Sequence, residues 1–215
     1  MSESKPDLTK LYEAILSGDA NTAKSVTQAA LAAGVDPQEL VVERMIPAMD
    51  EVGRRFECNE FFVPELLIAA RAMKAALELL RPLLSERGIK PVGRVVIGTV
   101  KGDLHDIGKG LVASMLEGGG FEVVDLGVDV PADKFIAKAQ ECKADIIALS
   151  ALLTTTMTAM KSVIESVQKS ALKGRCKIMI GGAPVTQDYA DRIGADGYSS
   201  NASGAVALAR KLVAA

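Results

Sequence analysis

The chain has 215 residues and a net charge of −2, with 49% hydrophobic and 24% charged residues, an ordinary composition for a globular protein. This charge balance argues against a nucleic-acid partner, because phosphate binding needs a basic face. No apolar run reaches the roughly 18 residues of a membrane span, and the N-terminus carries no signal-like apolar core. The three cysteines are far apart and suit reduced thiols, so we expect a cytoplasmic protein without a membrane partner.

Apolar residues recur at helical spacing from residue 1 to about 88. The pattern predicts a helical domain over 1–88. Asp36 is the expected N-cap of the third helix, with Pro37 as its first residue, and Pro47 should kink that helix. Four helices joined by short turns are typical of a small bundle, and they are predicted within 5–19, 21–34, 36–56 and 63–88.

The pattern changes at about residue 93, where short β-branched runs begin to alternate with helical stretches. Such alternation predicts parallel strands with crossover helices, and the nearly continuous apolar strands indicate a sheet covered on both faces. The predicted fold class is therefore α/β: a four-helix bundle, a linker at 85–93, and a doubly wound, flavodoxin-like domain of five strands over 89–215. Its strands are expected within 94–100, 121–127, 145–152, 177–182 and 196–200, and its helices within 108–118, 132–142, 156–171, 187–193 and 202–213.

Ligands of such sheets bind at the carboxyl ends of the strands, and the only histidine of the chain, His105, follows the first strand. Asp103 lies two residues earlier, so in an extended loop both side chains point the same way. A carboxylate can then hold one ring nitrogen and direct the other at a metal. Zinc is disfavoured because it needs three or four protein ligands, whereas a macrocycle brings its own. A histidine at a surface helix cap is the alternative interpretation.

Small residues follow the third and fourth strands. Gly181 and Gly182, like Gly108 after His105, lack a Cβ and would let a flat group approach the backbone, although turn geometry also explains glycines at such places. The G-x-G-x-x-G spacing of dinucleotide-binding loops is absent, which disfavours NAD.

Hydroxyl residues cluster in the stretch "SALLTTT", at Ser150, Thr154 and Thr156. One threonine is expected to cap the following helix, and the others can donate hydrogen bonds to a ligand. A Ser-His-Asp hydrolase is disfavoured because no second histidine is available as a base.

Three motifs together resemble those of cobalamin-binding domains. D-L-H-D-I-G at 103–108 matches D-x-H-x-x-G, S-A-L-L-T at 150–154 matches S-x-L-x-T, and Gly181–Gly182 match the glycine pair after the fourth strand. Residues 200–212 resemble the start of the last helix in the cobalamin domain of methionine synthase. Residues 52–82 resemble the helical cap of methionine synthase and of the small corrinoid proteins of methanol, methylamine and methoxyarene methyltransferase systems. The resemblance covers essentially the whole chain.

The resemblance implies roles for individual residues. His105 would be the lower axial ligand of cobalt, in place of the benzimidazole of the cofactor itself, with Asp103 holding the other ring nitrogen and Thr156 completing the relay. Phe62, Leu66 and Met45 are candidates to cover the upper face of cobalt, with packing in the bundle core as the alternative. The further cobalamin-binding residues implied are Asp106, Gly108, Ser150, Leu152, Thr154, Gly181 and Gly182, with Asn201, Ala202 and Ser203 at the end of the nucleotide tail.

The same resemblance implies a methyl carrier that alternates between cobalt(I) and methylcobalt(III). Its partners would be a substrate-specific methyltransferase and an acceptor methyltransferase that uses tetrahydrofolate or a thiol, and a reductive activase is a further partner of such systems. The linker at 85–93 would be the hinge of the cap. Alternatives are a cobalamin-dependent sensor, a mutase subunit and a flavin or nucleotide module. The sequence does not indicate whether the methyl donor is methanol, a methylamine, glycine betaine or a methoxyarene.

Overall fold

The computed structural model describes residues 7–214, which form two compact units. One unit contains the described chain up to Pro91 together with Glu117–Gly120, and the other contains Val92–Leu116 and the described chain from Phe121 onward. None of the helices within residues 7–214 combines the length and the apolar character that crossing a membrane requires.

The first unit is helical, as the sequence predicts. Asp36 caps the helix that follows it, since its carboxylate accepts a hydrogen bond from the Gln38 N–H at 2.7 Å, and Pro37 is the first helical residue. Large aliphatic side chains such as Leu11 and Met73 are fully buried. The elements are α1 (Thr9–Ser17), α2 (Ala20–Ala32), α3 (Pro37–Leu40), a π-helical segment (Val41–Met45), α4 (Ile46–Glu57) and α5 (Val63–Glu86).

The interruption that Pro47 predicts takes the form of the π-helical segment Val41–Met45, which lies just before it. Proline has no N–H to donate, and its ring crowds the carbonyl four residues earlier, here that of Glu43. A wider helical turn at this point accommodates both effects, so the predicted single helix over 36–56 is divided into α3, the π-helical segment and α4.

The second unit contains a parallel sheet with the strand order β2-β1-β3-β4-β5, which confirms the predicted flavodoxin-like arrangement. Its strands are β1 (Arg94–Thr99), β2 (Glu122–Asp125), β3 (Ile146–Ser150), β4 (Lys177–Gly181) and β5 (Gly197–Tyr198). Its helices are α6 (Ile107–Gly118), α7 (Ala132–Cys142), α8 (Met157–Gln168), α9 (Gln187–Ile193) and α10 (Ala202–Ala214).

The central strands are apolar along nearly their whole length because both faces of the sheet are covered. Val96, Ile147 and Ile180 from three adjacent strands share one buried cluster with Phe135 of α7 and Met160 of α8. This cluster makes the sheet a rigid platform for the loops at its edge.

The register of the sheet brings the ends of its three central strands to the same level. Thr99 pairs with Ser150, and Ser150 pairs with Gly181. The loops that follow β1, β3 and β4 therefore start side by side at the carboxyl edge, where the sequence motifs lie.

Gly182, directly after β4, has a φ of 131° that few other residues adopt. A Cβ at this position would lie 1.9 Å from the carbonyl oxygen of Ala151, the residue after β3. The glycine is therefore required by the close approach of two backbone segments of the protein itself.

Replacing Gly182 with alanine should lower the free energy of unfolding by about 3 kcal/mol or more, because backbone strain is combined with overlap against a carbonyl. Gly194→Ala is the matched control: Gly194 also has a positive φ, of 78°, but no atom lies within 4 Å of its Cβ position. That change should cost only about 1–2 kcal/mol. Urea unfolding followed by circular dichroism measures both, and equal losses would contradict the assigned contact.

Candidate functional site

The carboxylate of Asp103 is fully buried in the loop after β1. Its Oδ1 accepts from the His105 backbone N–H at 3.1 Å and lies 2.9 Å from His105 Nδ1. Its Oδ2 accepts from the N–H groups of Leu152 and Leu153, at 2.8 and 3.3 Å, and from the Thr156 hydroxyl at 2.7 Å. Asp103 thus joins the loop after β1 to the loop after β3.

These donors determine the charge of Asp103. Burial alone would raise the pKa of this carboxyl, but the hydrogen bonds from Leu152 N–H, the Thr156 hydroxyl and His105 outweigh it and hold the pKa well below its ordinary value. Asp103 is therefore ionised at neutral pH and has no proton to donate.

An ionised Asp103 fixes the tautomer of His105. Because the carboxylate can only accept, the 2.9 Å contact requires a proton on Nδ1, so the neutral ring has its lone pair on Nε2. The His105 side chain is 53% exposed, although its carboxylate partner is buried. A neutral imidazole held at one nitrogen and open at the other is the arrangement that a metal ligand needs.

Thr156 occupies the N-cap position of α8, where the sequence predicts a capping threonine, but its side chain makes no capping hydrogen bond. The predicted capping bond is therefore wrong. Its hydroxyl has two acceptors in reach, Asp103 Oδ2 at 2.7 Å and the Leu153 carbonyl at 2.8 Å. The ionised carboxylate is the stronger acceptor, so the Thr156 hydroxyl donates to Asp103 and does not cap the helix.

Exposed apolar side chains surround His105. Leu104 and Ile107 flank it in the chain, and Leu152 and Leu153 follow β3; Ile107 is 84% exposed. No atom lies within 4 Å of the Cβ position of Gly108, which opens this surface further. An open apolar surface around one available imidazole nitrogen fits a flat macrocycle that carries its own metal. Within residues 7–214, no three His, Cys, Asp or Glu residues are grouped so that they could hold a bare metal ion.

The residues predicted for the nucleotide tail lie at the ends of β3 and β4 and at the start of α10. Ser150 is half-buried beside Gly181 in the sheet, and Thr154 is exposed. Asn201 is exposed, and its Oδ1 accepts from the Gly204 N–H at 2.6 Å, so it caps α10. Ala202 is buried in the first turn of that helix, followed by half-buried Ser203 and Gly204.

The remaining predicted residues are dispersed. Asp106 is exposed just before α6, and its carbonyl accepts from the Gly110 N–H at 2.7 Å. In the helical unit, Phe62 is 61% exposed, whereas Leu66 and Met45 are fully buried.

Sequence reasoning missed the ion pair between Lys109 of α6 and Asp125 at the end of β2. The Lys109 side chain is only 3% exposed, and its ammonium group contacts Asp125 Oδ2. Asp125 Oδ1 also accepts from the Gly127 N–H at 2.8 Å. A lysine in the first turn of a helix opposes the helix dipole, and this unfavourable placement is the one sequence signal that indicates an acidic partner.

Sequence reasoning also missed two residues that hold the loop carrying His105. The hydroxyl of buried Thr99 donates to the His105 carbonyl at 2.7 Å. Asp129 Oδ1 accepts from the Gly102 N–H at 2.7 Å. Neither contact has a local sequence signal, because Thr99 reads as an ordinary strand residue and Asp129 lies 27 positions from its partner.

Comparison with known proteins shows the family of the chain. A family model described as "B12 binding domain" matches residues 93–207, and a second one with the same description matches residues 8–81. The trimethylamine corrinoid protein 1 of Methanosarcina mazei is 47% identical over 208 residues, which cover 96% of both chains. The dimethylamine corrinoid protein of Methanosarcina barkeri is 46% identical over 209 residues, covering 96% of this chain and 97% of the relative.

Two solved structures of cobalamin-related proteins are also similar to this chain. The methanol:cobalamin methyltransferase complex MtaBC from Methanosarcina barkeri contains a chain with a TM-score of 0.86 and 33% identity, and the match covers 96% of this chain and 79% of that one. A cobalamin-binding protein from Desulfitobacterium hafniense has a TM-score of 0.79 and 34% identity, with 96% and 98% covered. The chain therefore belongs to the family of B12-binding corrinoid proteins, whose cofactor is cobalamin or a related corrinoid.

Proposed function

We propose that this protein is a corrinoid methyl carrier. It holds the corrinoid with His105 in place of the base of the cofactor itself, the base-off/His-on state. It passes a methyl group from a substrate-specific methyltransferase to an acceptor methyltransferase that uses tetrahydrofolate or a thiol. The observation that carries the proposal is the relay from Thr156 through buried Asp103 to half-exposed His105.

The names of the relatives support a carrier that works with separate enzymes. Two of these relatives are named trimethylamine corrinoid protein and dimethylamine corrinoid protein, and they match this chain over nearly their whole length. The similar chain in the methanol system belongs to a methyltransferase complex. A partner methyltransferase is therefore part of the proposal, with residues 89–215 as the corrinoid-binding domain and 1–88 as its cap.

The bound corrinoid would supply a cobalt ion that can accept a methyl group and give it up again. His105 would present Nε2 as the axial ligand, and the Asp103 carboxylate keeps the proton on Nδ1. A shift of that proton toward Asp103 raises the electron density at Nε2, so the carboxylate can adjust the strength of the ligand. The Thr156 hydroxyl and the two backbone N–H groups after β3 hold Asp103 in place while this happens.

The other predicted residues, together with Leu104, which the sequence did not predict, have simpler roles in the proposal. Leu104 and Leu152 would contact the corrin ring and exclude water from its lower face. The loops after β3, β4 and β5 would receive the nucleotide tail through Ser150, Thr154, Gly181, Gly182, Asn201, Ala202 and Ser203. Gly108 and Asp106 would border the ring, and exposed Phe62 would be the contact from the cap, whereas Leu66 is fully buried.

Replacing His105 with alanine should leave the fold intact, because the side chain is about half exposed. After reconstitution with methylcobalamin, the visible spectrum should change to that of a corrinoid without an axial nitrogen, and the affinity should fall at least about tenfold. Lys101→Ala, an exposed change in the same loop, is the control and should keep the wild-type spectrum. An unchanged spectrum in His105→Ala would contradict the assignment of the ligand.

Replacing Thr156 with valine keeps the shape of the side chain but leaves the buried Asp103 carboxylate without one donor. The unfolding free energy should fall by about 1–3 kcal/mol and the corrinoid affinity about tenfold. Thr156→Ser retains the hydroxyl and should restore the affinity. Chemical unfolding measures the stability of both variants, and corrinoid titration measures their affinities. Equal affinities for the valine and serine variants would argue against the relay.

Methyl transfer tests the function itself. The reduced, corrinoid-loaded protein is mixed with the methyltransferases for methylamines, methanol, glycine betaine or methoxyarenes, each with its substrate, and methylation is followed in the visible spectrum. One combination of methyltransferase and substrate should methylate the wild-type protein but not His105→Ala. An acceptor methyltransferase with a thiol or tetrahydrofolate should then remove the methyl group and restore the original spectrum. Stoichiometric corrinoid binding without transfer from any of these pairs, or to either acceptor, would overturn the carrier proposal.

A further inference from the structure

In the loop that carries His105, residues 100–106 and here called the ligand loop, only Val100 and Asp103 are buried, and the other residues are exposed. The His105 ring is about half exposed, and Leu104 and Asp106 on either side of it are exposed as well. Asp103 holds one ring nitrogen, which sets the orientation of the imidazole. Contacts from outside the loop must therefore set the position of the backbone from which the ring projects.

Thr99, the last residue of β1, provides the first such contact. Its backbone is already occupied, because its N–H donates to the Gly127 carbonyl and its own carbonyl accepts from the Val130 N–H, both at 3.0 Å. The hydroxyl takes no part in these backbone hydrogen bonds, and it donates to the His105 carbonyl at 2.7 Å. Since Thr99 is fully buried at the end of β1, this hydrogen bond ties the histidine directly to the core of the sheet.

Asp129, in the loop between β2 and α7, provides the second contact. Its Oδ1 accepts from the Gly102 N–H at 2.7 Å, and its own N–H donates to the Asp103 carbonyl at 3.0 Å. These two bonds run in opposite directions and hold the backbone of Gly102 and Asp103 from both ends. Asp129 makes both from a left-handed backbone with a φ of 52°, a conformation that costs a non-glycine residue about 1–2 kcal/mol.

We propose that Thr99 and Asp129 are positioning residues for the axial ligand. Asp129 fixes the ligand loop before His105, and Thr99 fixes it at the histidine carbonyl. Between these two points, Asp103 joins the ligand loop to the loop after β3 and orients the ring so that Nε2 can meet the metal. This inference rests on the proposed function, since it assumes that His105 ligates the corrinoid.

Each residue offers a pair of matched variants. Thr99→Val removes the hydroxyl and keeps the shape, whereas Thr99→Ser keeps the hydroxyl. Asp129→Gly tolerates the positive φ but has no acceptor, whereas Asp129→Asn tolerates the same φ and keeps a side-chain oxygen. Within each pair, only the first variant loses the contact with the ligand loop.

The variants are loaded with methylcobalamin, and two quantities are measured: the fraction of corrinoid with an axial nitrogen, from the visible spectrum, and the dissociation constant. Thr99→Val and Asp129→Gly should lower the ligated fraction and weaken binding about tenfold. Thr99→Ser and Asp129→Asn should remain within about twofold of the wild type. Melting of the unloaded proteins shows whether each variant folds, and if Thr99→Val does not, the exposed position 129 decides the question.

The outcomes separate this inference from the function on which it rests. A wild-type protein without an axial-nitrogen spectrum would overturn the proposed function and this inference with it. A wild-type spectrum that shows the nitrogen and is retained unchanged in Asp129→Gly and in a folded Thr99→Val would overturn only the positioning role. Loss of ligation in the valine and glycine variants, with recovery in serine and asparagine, supports it.

Discussion

The buried carboxylate of Asp103 sets the constraint on which the site depends. An ionised carboxylate away from water costs many kcal/mol unless donors surround it. Here the donors come from two separate stretches of chain, the loop after β1 and the loop after β3. The charge is therefore stable only when the two loops are folded against each other, and this arrangement also places the His105 ring at the open edge of the sheet.

The order of the strands explains why these two loops can meet and still leave space for a ligand. β1 lies between β2 and β3, so the chain turns to one side of the sheet after β1 and to the other side after β3. Such a switch point leaves a crevice at the carboxyl edge of parallel sheets. The pairing of Thr99 with Ser150 keeps the two strand ends level, which brings Leu152 N–H and Thr156 within reach of Asp103.

Much of this arrangement could be predicted from the sequence because it depends on local patterns. The alternation of apolar strands and helices predicts the parallel sheet, and the two-residue spacing predicts that Asp103 and His105 face the same way. The rest depends on contacts between distant positions. Thr156 lies 53 residues from Asp103, so no local pattern pairs them, and only the resemblance to cobalamin-binding domains indicates their contact. Lys109 and Asp125 are 16 residues apart, and their pairing follows only from the placement of α6 beside β2.

The central claim is that an imidazole nitrogen of this chain binds the cobalt, and isotope labelling tests it directly because the chain contains one histidine. The protein is produced with ¹⁵N-histidine, loaded with unlabelled cobalamin and reduced to cobalt(II), and its electron paramagnetic resonance spectrum is recorded beside that of the unlabelled protein. Ligation by His105 predicts that each cobalt line, split into three by ¹⁴N, is split into two by ¹⁵N. A threefold splitting in both samples would show that the base of the cofactor binds the metal instead, and it would contradict the account.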